Sequence, residues 1–236
     1  HEDNNLACAT PVVDESQVYV IWHSKEKTEL FAFSHEGKIQ WKKEFVGIES
    51  RHGGGSSLML TNKYVVFTLE QEKEYSTLKS FWVAVDKQSG ETAWELERES
   101  PENNSFGTPL LMELGNSKTQ LIFGSQSHGI TGVDTESGKV NWEKKDMMPA
   151  RVVASPFLAD GKLIMCCKGQ GLAIDMDQET GLPADTASYL LPRNLSPYVP
   201  TPIAVGEYLY LFTDSGTLNL FETIRGKGQL NGPISD

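Results

Sequence analysis

Short runs of β-branched and aromatic residues recur along the chain, and residues that favour turns separate them. Such runs predict β-strands, because branched and aromatic side chains suit a pleated, half-buried surface. The most apolar strand of each unit is predicted at residues 18–22, 64–67, 121–123, 163–165 and 209–212. No stretch of the sequence sustains the 3.6-residue spacing of an amphipathic helix. The sequence therefore predicts an all-β fold.

The strand pattern repeats with a period of about 48 residues, near the range of β-propeller blades. Each unit begins with a Ser or Thr that Pro follows in four cases, namely Thr10, Ser56, Thr108, Ser155 and Thr201. Three units end in Gly-x-x-x-Trp, at Trp41, Trp94 and Trp142. An Asp-x-x-Ser/Thr-Gly turn begins at Asp86, Asp134 and Asp177. We predict one domain over residues 1–236, with five repeats at about 10–45, 56–98, 107–146, 154–188 and 200–229.

Four predicted strands per repeat correspond to the antiparallel sheet of one β-propeller blade. The recurring aspartates are expected to accept backbone N–H bonds within the turn, and the following glycines to supply a positive φ. The recurring tryptophans are expected to pack between neighbouring sheets as large apolar contacts. Both sets of residues are therefore predicted to be structural docking residues rather than parts of a cofactor site.

The unit that begins at Ser/Thr-Pro and ends at Ser-Gly-Lys-x-x-Trp resembles the tryptophan-docking blade of the PQQ-like (quinoprotein-like) β-propeller family. The resemblance covers about residues 10–226. The family includes PQQ-dependent alcohol dehydrogenases, a non-catalytic scaffold lipoprotein of outer-membrane assembly, and secreted bacterial PQQ-like repeat proteins. The resemblance implies a periplasmic or secreted location, and the expected location rests on it alone.

Rings in this family usually close with seven or eight blades, whereas five repeats are present here. Either the ring closes at five blades, within the range of four to eight known for propellers, or the chain is an incomplete part of a larger ring. We favour the second interpretation. An open arc would expose a strand edge and an apolar blade face, and both favour self-association.

Acidic residues outnumber basic residues by 32 to 21, which gives a formal net charge of −11 at pH 7. This charge repels phosphate groups and argues against a nucleic acid or an anionic lipid surface as the partner. No apolar run approaches the ~20 residues that a membrane-spanning helix needs. The sequence therefore predicts no membrane span and no nucleic-acid partner.

The adjacent residues Cys166 and Cys167 are the strongest candidates for cofactor chemistry. In PQQ-dependent alcohol dehydrogenases an adjacent-cysteine disulfide lies against the cofactor. Here the pair lies inside a predicted strand, where neighbouring side chains point to opposite faces. Packing as small apolar groups is therefore the favoured interpretation. No motif matches the residues that hold PQQ or calcium in those enzymes, so we predict no cofactor, no metal site and no catalytic residue.

Polar residues just before the innermost strand of several units form the candidate binding site. In a propeller these segments surround the mouth of the central channel, because the innermost strand starts near the axis. The candidates are Asp3, Asn4, Asn5, Arg51, His52, Arg151, Arg193 and Tyr198. Guanidinium groups, amides and a phenol suit a carboxylate, a sugar or a peptide end. The alternative is that these are solvated loop residues that bind carbonyls at the blade ends.

The sequence therefore predicts a non-enzymatic β-propeller scaffold of the bacterial cell envelope that binds a protein partner or a small anionic or sugar ligand. Two alternatives stay open, because a fold does not by itself define a function. The first is a fragment of a PQQ-dependent oxidoreductase. The second is the sensor ectodomain of a signalling protein.

Overall fold

Twenty β-strands form five four-stranded antiparallel sheets in the residues that the structure describes. The structure is a computed structural model, and it describes residues 8–115 and 117–222 together with the backbone of residues 227–229. Each sheet contains four strands that are consecutive in the chain and paired with their sequence neighbours. The predicted all-β fold of four-stranded blades is therefore confirmed.

The strands of the five blades alternate regularly with turns along the chain. The first two blades contain β1 (Val12–Val13), β2 (Gln17–His23), β3 (Lys27–Ser34), β4 (Ile39–Val46), β5 (Met59–Leu60), β6 (Tyr64–Leu69), β7 (Ser80–Asp86) and β8 (Thr92–Arg98). The third and fourth contain β9 (Leu110–Glu113), β10 (Thr119–Ser125), β11 (Gly129–Asp134), β12 (Val140–Lys144), β13 (Phe157–Ala159), β14 (Lys162–Cys167), β15 (Gln170–Asp175) and β16 (Tyr189–Leu191). The fifth contains β17 (Ile203–Val205), β18 (Tyr208–Phe212), β19 (Leu218–Glu222) and β20 (Lys227–Gln229). A 3₁₀ turn at Lys145–Met147 follows β12.

Four apolar cores lie between successive blades, because both faces of the middle strands carry apolar side chains. Tyr19 of the first blade packs with Val65 of the second, and equivalent cores join the second to the third, the third to the fourth and the fourth to the fifth. Within the described residues no such core joins the fifth blade to the first. The five blades therefore form an open arc rather than a closed ring.

Each recurring tryptophan lies on the fourth strand of its blade and docks on the next blade. It pairs across the sheet with a small residue, Ala32, Ala84 or Gly132, next to a β-bulge in the fourth strand. The indole Nε1–H donates to a carbonyl in the turn between the third and fourth strands of the following blade. These bonds join Trp41 to Lys87 (2.8 Å), Trp94 to Thr135 (3.0 Å) and Trp142 to Gly181 (2.8 Å).

The turn that receives each indole is built by its aspartate. The Oδ1 atom of Asp86 accepts the backbone N–H groups of Gln88 and Ser89 at 3.0 and 2.8 Å. Asp134 and Asp177 accept backbone N–H groups in the same way. The glycine that ends each turn has a φ of about 70°, which side chains with a Cβ rarely adopt. At Gly90 and Gly138 the absence of a side chain lets the indoles of Trp41 and Trp94 lie directly against the turn.

Candidate functional site

Hydroxyl groups link the starts of the innermost strands around the axis of the arc. A backbone N–H at the start of one blade donates to the Ser or Thr hydroxyl at the start of the next. The bonds run from Thr10 to Ser57 (2.9 Å), from Thr108 to Ser155 (3.0 Å) and from Ser155 to Thr201 (3.0 Å). In the second blade the accepting hydroxyl belongs to Ser57, one residue after the predicted Ser56. The Ser/Thr of the repeat therefore holds the innermost strands together.

A cavity of about 520 Å³ lies where these five strand starts converge. Every blade contributes the residue two positions before its linking hydroxyl, and these residues are Cys8, Gly55, Phe106, Val153 and Val199. His52, Arg151 and Tyr198 complete the wall. We call this space the axial cavity. Its wall is mainly apolar, with one imidazole, one guanidinium and one phenol.

Arg151 is tied to the acidic side chain of Glu72, which belongs to the second blade. Its Nη2 lies 2.8 Å from Oε1 of Glu72 and 3.1 Å from Oδ1 of Asn103. The Glu72 side chain is 1% exposed and the Arg151 side chain 13% exposed. The Nε–H of Arg151 is also buried and finds no acceptor within the described part of the chain. The guanidinium is thus neutralised by Glu72, yet one donor is left unsatisfied.

The two glutamates after β6 anchor the loops that form the cavity wall. Glu72 also accepts the backbone N–H of Arg51 at 2.6 Å and that of Asn104 at 3.3 Å. Glu70 accepts the backbone N–H of Ser105 at 2.8 Å. Burial raises the pKa of the Glu70 carboxyl, and the bond from Ser105 opposes that rise. Buried carboxylates therefore position the loops around residues 51 and 104 through their backbone N–H groups.

The structure brings together three of the predicted binding residues, His52, Arg151 and Tyr198, at the axial cavity. The His52 ring makes an edge contact with Phe106 at 6.3 Å between centroids. Lys168 lies 5.8 Å above the Tyr198 ring. A role of these residues in binding stays a prediction.

Arg51 and Arg193 are not among the described residues that line this cavity. Arg51 is exposed, and its backbone N–H donates to the buried Glu72. Arg193 lies beside Gly169, in the turn between β14 and β15. The predicted residues Asp3, Asn4 and Asn5 lie outside the described residues.

Sequence reasoning missed the apolar half of this wall and both glutamates. The apolar residues share one position of the repeat, so aligning the five units at the linking hydroxyl would have found them. Glu70 and Glu72 follow a strand whose last five residues are buried, but nothing in the local sequence shows that the glutamates are buried. Their side-chain partners lie 12 to 79 residues away in the chain.

The His23 ring packs against the loop of residues 52–55. We expect His23 to make the free energy of unfolding sensitive to acid. A Cβ atom on Gly54 would lie 2.5 Å from the His23 ring, so the two are in tight contact. Burial lowers the pKa of His23 to about 4. The folded state disfavours protonation of His23. The contribution of His23 to the free energy of unfolding is therefore fully present above pH 6.5 and is lost as the pH falls from 6.5 towards 4. Between pH 7 and 5 the loss is about 2 kcal/mol.

Urea unfolding at pH 7, 6 and 5 measures this effect. The His23→Gln variant should lack that part of the pH dependence. The pKa of His128 is also lowered by burial, and His128 contributes equally to the pH dependence of unfolding in both proteins. Equal pH slopes for the wild type and His23→Gln would contradict the assignment.

Cys166 and Cys167 lie in two different cores. Both are buried free thiols, and Cys166 faces the core with the fifth blade while Cys167 faces the core with the third. Burial raises the pKa of Cys166 to about 12 and also raises that of Cys167. Only the thiolate is nucleophilic, so both thiols should be inert in the folded protein.

Titration with Ellman's reagent tests this placement. We expect the exposed Cys8 to react alone in the native protein, and three thiols to react after denaturation in guanidinium chloride. Only one reactive thiol after denaturation would show instead that Cys166 and Cys167 form a disulfide.

No three or more His, Cys, Asp or Glu side chains of the described residues are grouped so that they could hold a metal ion. In the same residues no helix has the length and apolar character needed to cross a bilayer.

Comparison with known proteins places this architecture in a family. BamB from Moraxella catarrhalis has a similar structure, with a TM-score of 0.64 and 16% identity over 94% of this chain and 60% of BamB. A europium-containing methanol dehydrogenase (TM-score 0.67, 11% identity) and the quinohemoprotein alcohol dehydrogenase of Comamonas testosteroni (0.62, 11%) are also similar. Each is matched over 95% of this chain, but over only 50% and 52% of the enzyme.

These structural similarities show a shared fold, and the sequence comparison is more specific. No curated protein sequence matches the chain at a significant level. The model of the family described as outer membrane protein assembly factor BamB matches residues 5–229. Since this match spans nearly the whole sequence, the chain belongs to that family of PQQ-like repeat β-propellers.

Proposed function

We propose that this chain is a non-enzymatic scaffold of the bacterial cell envelope that binds an extended segment of a protein partner at the axial cavity. Membership of the family described by the assembly factor BamB supports a protein partner and a cell-envelope location. The fold alone would suit a quinoprotein equally well, since dehydrogenases share it. The proposal therefore depends on the chemistry of the axial cavity.

The observation that carries the proposal is an otherwise apolar wall that holds the guanidinium of Arg151. Removing such apolar surface from water stabilises a bound ligand. Glu72 already neutralises the guanidinium, so a neutral carbonyl suits the site as well as a carboxylate does. Phe106, Val153 and Val199 offer apolar surface beside it. A peptide supplies both groups, a backbone carbonyl and an apolar side chain.

The rest of the cavity supports the same kind of ligand. His52 and Tyr198 add a ring nitrogen and a hydroxyl at the edge of the apolar wall. Ligand sites of this type combine apolar walls with a few polar groups that set the orientation of the ligand. A free sugar would need more polar partners than this wall offers, so we favour a peptide segment over a small ligand.

Fluorescence anisotropy with labelled dodecapeptides tests the proposal. The panel contains peptides with a single aromatic or branched residue among polar ones, and all-polar peptides as controls. We expect the first class to bind, and Val153→Lys to weaken this binding at least about tenfold, or 1.4 kcal/mol. The matched control is Val205→Lys, which changes an exposed valine on β17 that is not among the residues lining the cavity. Equal binding to both variants, or no binding by any peptide, would refute the proposal.

A further inference from the structure

The loop between β6 and β7 is the longest of the five connections between the second and third strands of the described blades. It covers residues 70–79, whereas the other four connections are residues 24–26, 126–128, 168–169 and 213–217. The innermost strand of each blade starts at the axial cavity, so the antiparallel second strand ends on the same side of the arc. All five connections therefore lie at the cavity end of the blades. Insertions into a single repeat often belong to a binding face.

The two ends of the β6–β7 loop meet at one buried point beside the wall of the axial cavity. Gln71 and Ser80 are completely buried, and the Ser80 hydroxyl accepts the backbone N–H of Gln71 at 2.9 Å. The side-chain oxygen of Gln71 accepts the backbone N–H of Glu49 at 2.8 Å. Glu72 binds the Arg151 guanidinium of the cavity wall at 2.8 Å. The base of the loop is thus fixed to the same segments that form the cavity.

The tip of the loop is held in place by hydrogen bonds of its own. The backbone N–H groups of Tyr75 and Ser76 both donate to the carbonyl of Glu72 at 3.0 Å. The Ser76 hydroxyl accepts the backbone N–H of Leu78 at 3.1 Å. Compact loops with adjacent ends and internal packing are frequently functional. The loop therefore holds Tyr75 and Leu78 in defined positions rather than as a loose connection.

Two large apolar side chains at this tip are exposed to solvent. Tyr75 is 46% exposed and Leu78 is 42% exposed. Among the described connecting segments at the cavity end of the blades, Val199 is the one other large apolar residue that is exposed, and it lines the axial cavity. Scattered apolar residues on a surface are normal, whereas apolar groups beside a binding cavity enlarge its contact surface.

We propose that the β6–β7 loop is a second contact surface for the partner segment that binds in the axial cavity, with Tyr75 and Leu78 packed against a second apolar side chain of that segment. This inference rests on the proposed function. Glu72 joins the two surfaces, because its carboxylate binds Arg151 and its carbonyl accepts the N–H of Tyr75. An extended chain advances about 3.3 Å per residue, so a single peptide can reach both. The ligand is therefore an extended segment with two apolar residues separated by polar ones.

Fluorescence anisotropy with two classes of labelled dodecapeptide tests this inference. The first class carries one aromatic or branched residue, and the second carries two such residues at a range of separations. We expect the best peptide of the second class to bind at least about fivefold more tightly than the first class, because a second side chain is partly buried. Tyr75→Ser/Leu78→Ser should abolish this gain. Tyr75→Phe/Leu78→Met should keep it, since both changes preserve the apolar surface.

The matched control is Leu190→Ser/Tyr208→Ser, which makes the same two changes at exposed positions of β16 and β18 that do not line the cavity. This control should keep the fivefold gain. Both serine variants replace exposed residues, so their unfolding midpoints should lie within about 3 °C of the parent chain. Val153→Lys should weaken the binding of both peptide classes, because it alters the axial cavity itself.

The possible negative results separate this inference from the proposed function. If peptides of the first class bind but a second apolar residue adds no affinity, the axial cavity is the whole site and the inference is wrong. A gain that survives Tyr75→Ser/Leu78→Ser, or that the control variant loses equally, would contradict it as well. If no peptide of either class binds, the proposed function fails and the inference fails with it.

Discussion

Replacing Trp94 with alanine is expected to lower the free energy of unfolding by about 3–5 kcal/mol, as for other large core residues. The Trp94 side chain is 8% exposed and lies in the core between the second and third blades, with Leu121 and Phe123. Its Nε1–H donates to the carbonyl of Thr135 at 3.0 Å. The substitution therefore removes a large apolar contact and leaves that carbonyl unsatisfied. Urea unfolding followed by circular dichroism measures the change.

The matched control for this prediction is Trp22→Ala, which removes an indole that is largely outside any core. We expect it to cost no more than about 1 kcal/mol. Trp94→Phe should fall between the two, since it keeps most of the apolar contact but loses the hydrogen bond. If Trp94→Ala cost no more than Trp22→Ala, the docked indoles would not hold the blades together.

Arg151→Ala is expected to destabilise the fold by about 3–5 kcal/mol, because it leaves the buried carboxylate of Glu72 without its charged partner. The loss should exceed that of an ordinary surface substitution, since the same carboxylate holds the loops of residues 51 and 104. The unfolding free energy at pH 7 measures it.

Arg193→Ala is the matched control for Arg151→Ala, because Arg193 is exposed and should contribute within about 0.5 kcal/mol. The double variant Glu72→Gln/Arg151→Met should recover part of the loss, because it removes both charges while keeping similar volumes. Equal costs for Arg151→Ala and Arg193→Ala would show that the ion pair does not stabilise the loops.

This structural role changes how Arg151 can be used in binding experiments. A loss of ligand affinity in Arg151→Ala would have two causes at once. One is the loss of a hydrogen-bond donor, and the other is the collapse of the loops that form the axial cavity. Val153 touches the same cavity without an ion pair, and for this reason we use it as the probe of binding. Arg51 and Arg193 do not line the cavity and are suitable as negative controls.

The blade architecture could be predicted from the sequence because its determinants are local and repeated. Asp86 accepts N–H groups two and three residues ahead, so its role is visible in the pentapeptide of the turn. Trp94 recurs at a fixed offset from that turn. Repetition makes each weak local signal credible, since five units with the same periodicity must pack in the same way.

Which candidate residues line the axial cavity was predicted less well, because topology fixes the neighbourhood of a residue but not the direction of its side chain. His52, Arg151 and Tyr198 reach the axial cavity, whereas Arg193 turns to Gly169 in a neighbouring turn. The backbone N–H of Arg51 donates to Glu72, and Arg51 is not among the residues that line the cavity. All five residues looked alike in the sequence, as polar residues just before an innermost strand.

Strand order, turns and tryptophan docking follow from periodicity along the chain, because each depends on residues within one repeat and its neighbour. The contacts of the cavity residues depend on partners far apart in the chain, such as Glu72 and Arg151, which are separated by 79 residues. No repeat pattern links those two positions. Their contact arises when the curvature of the arc brings the second and fourth blades to the same axis, and a buried carboxylate there requires a cation.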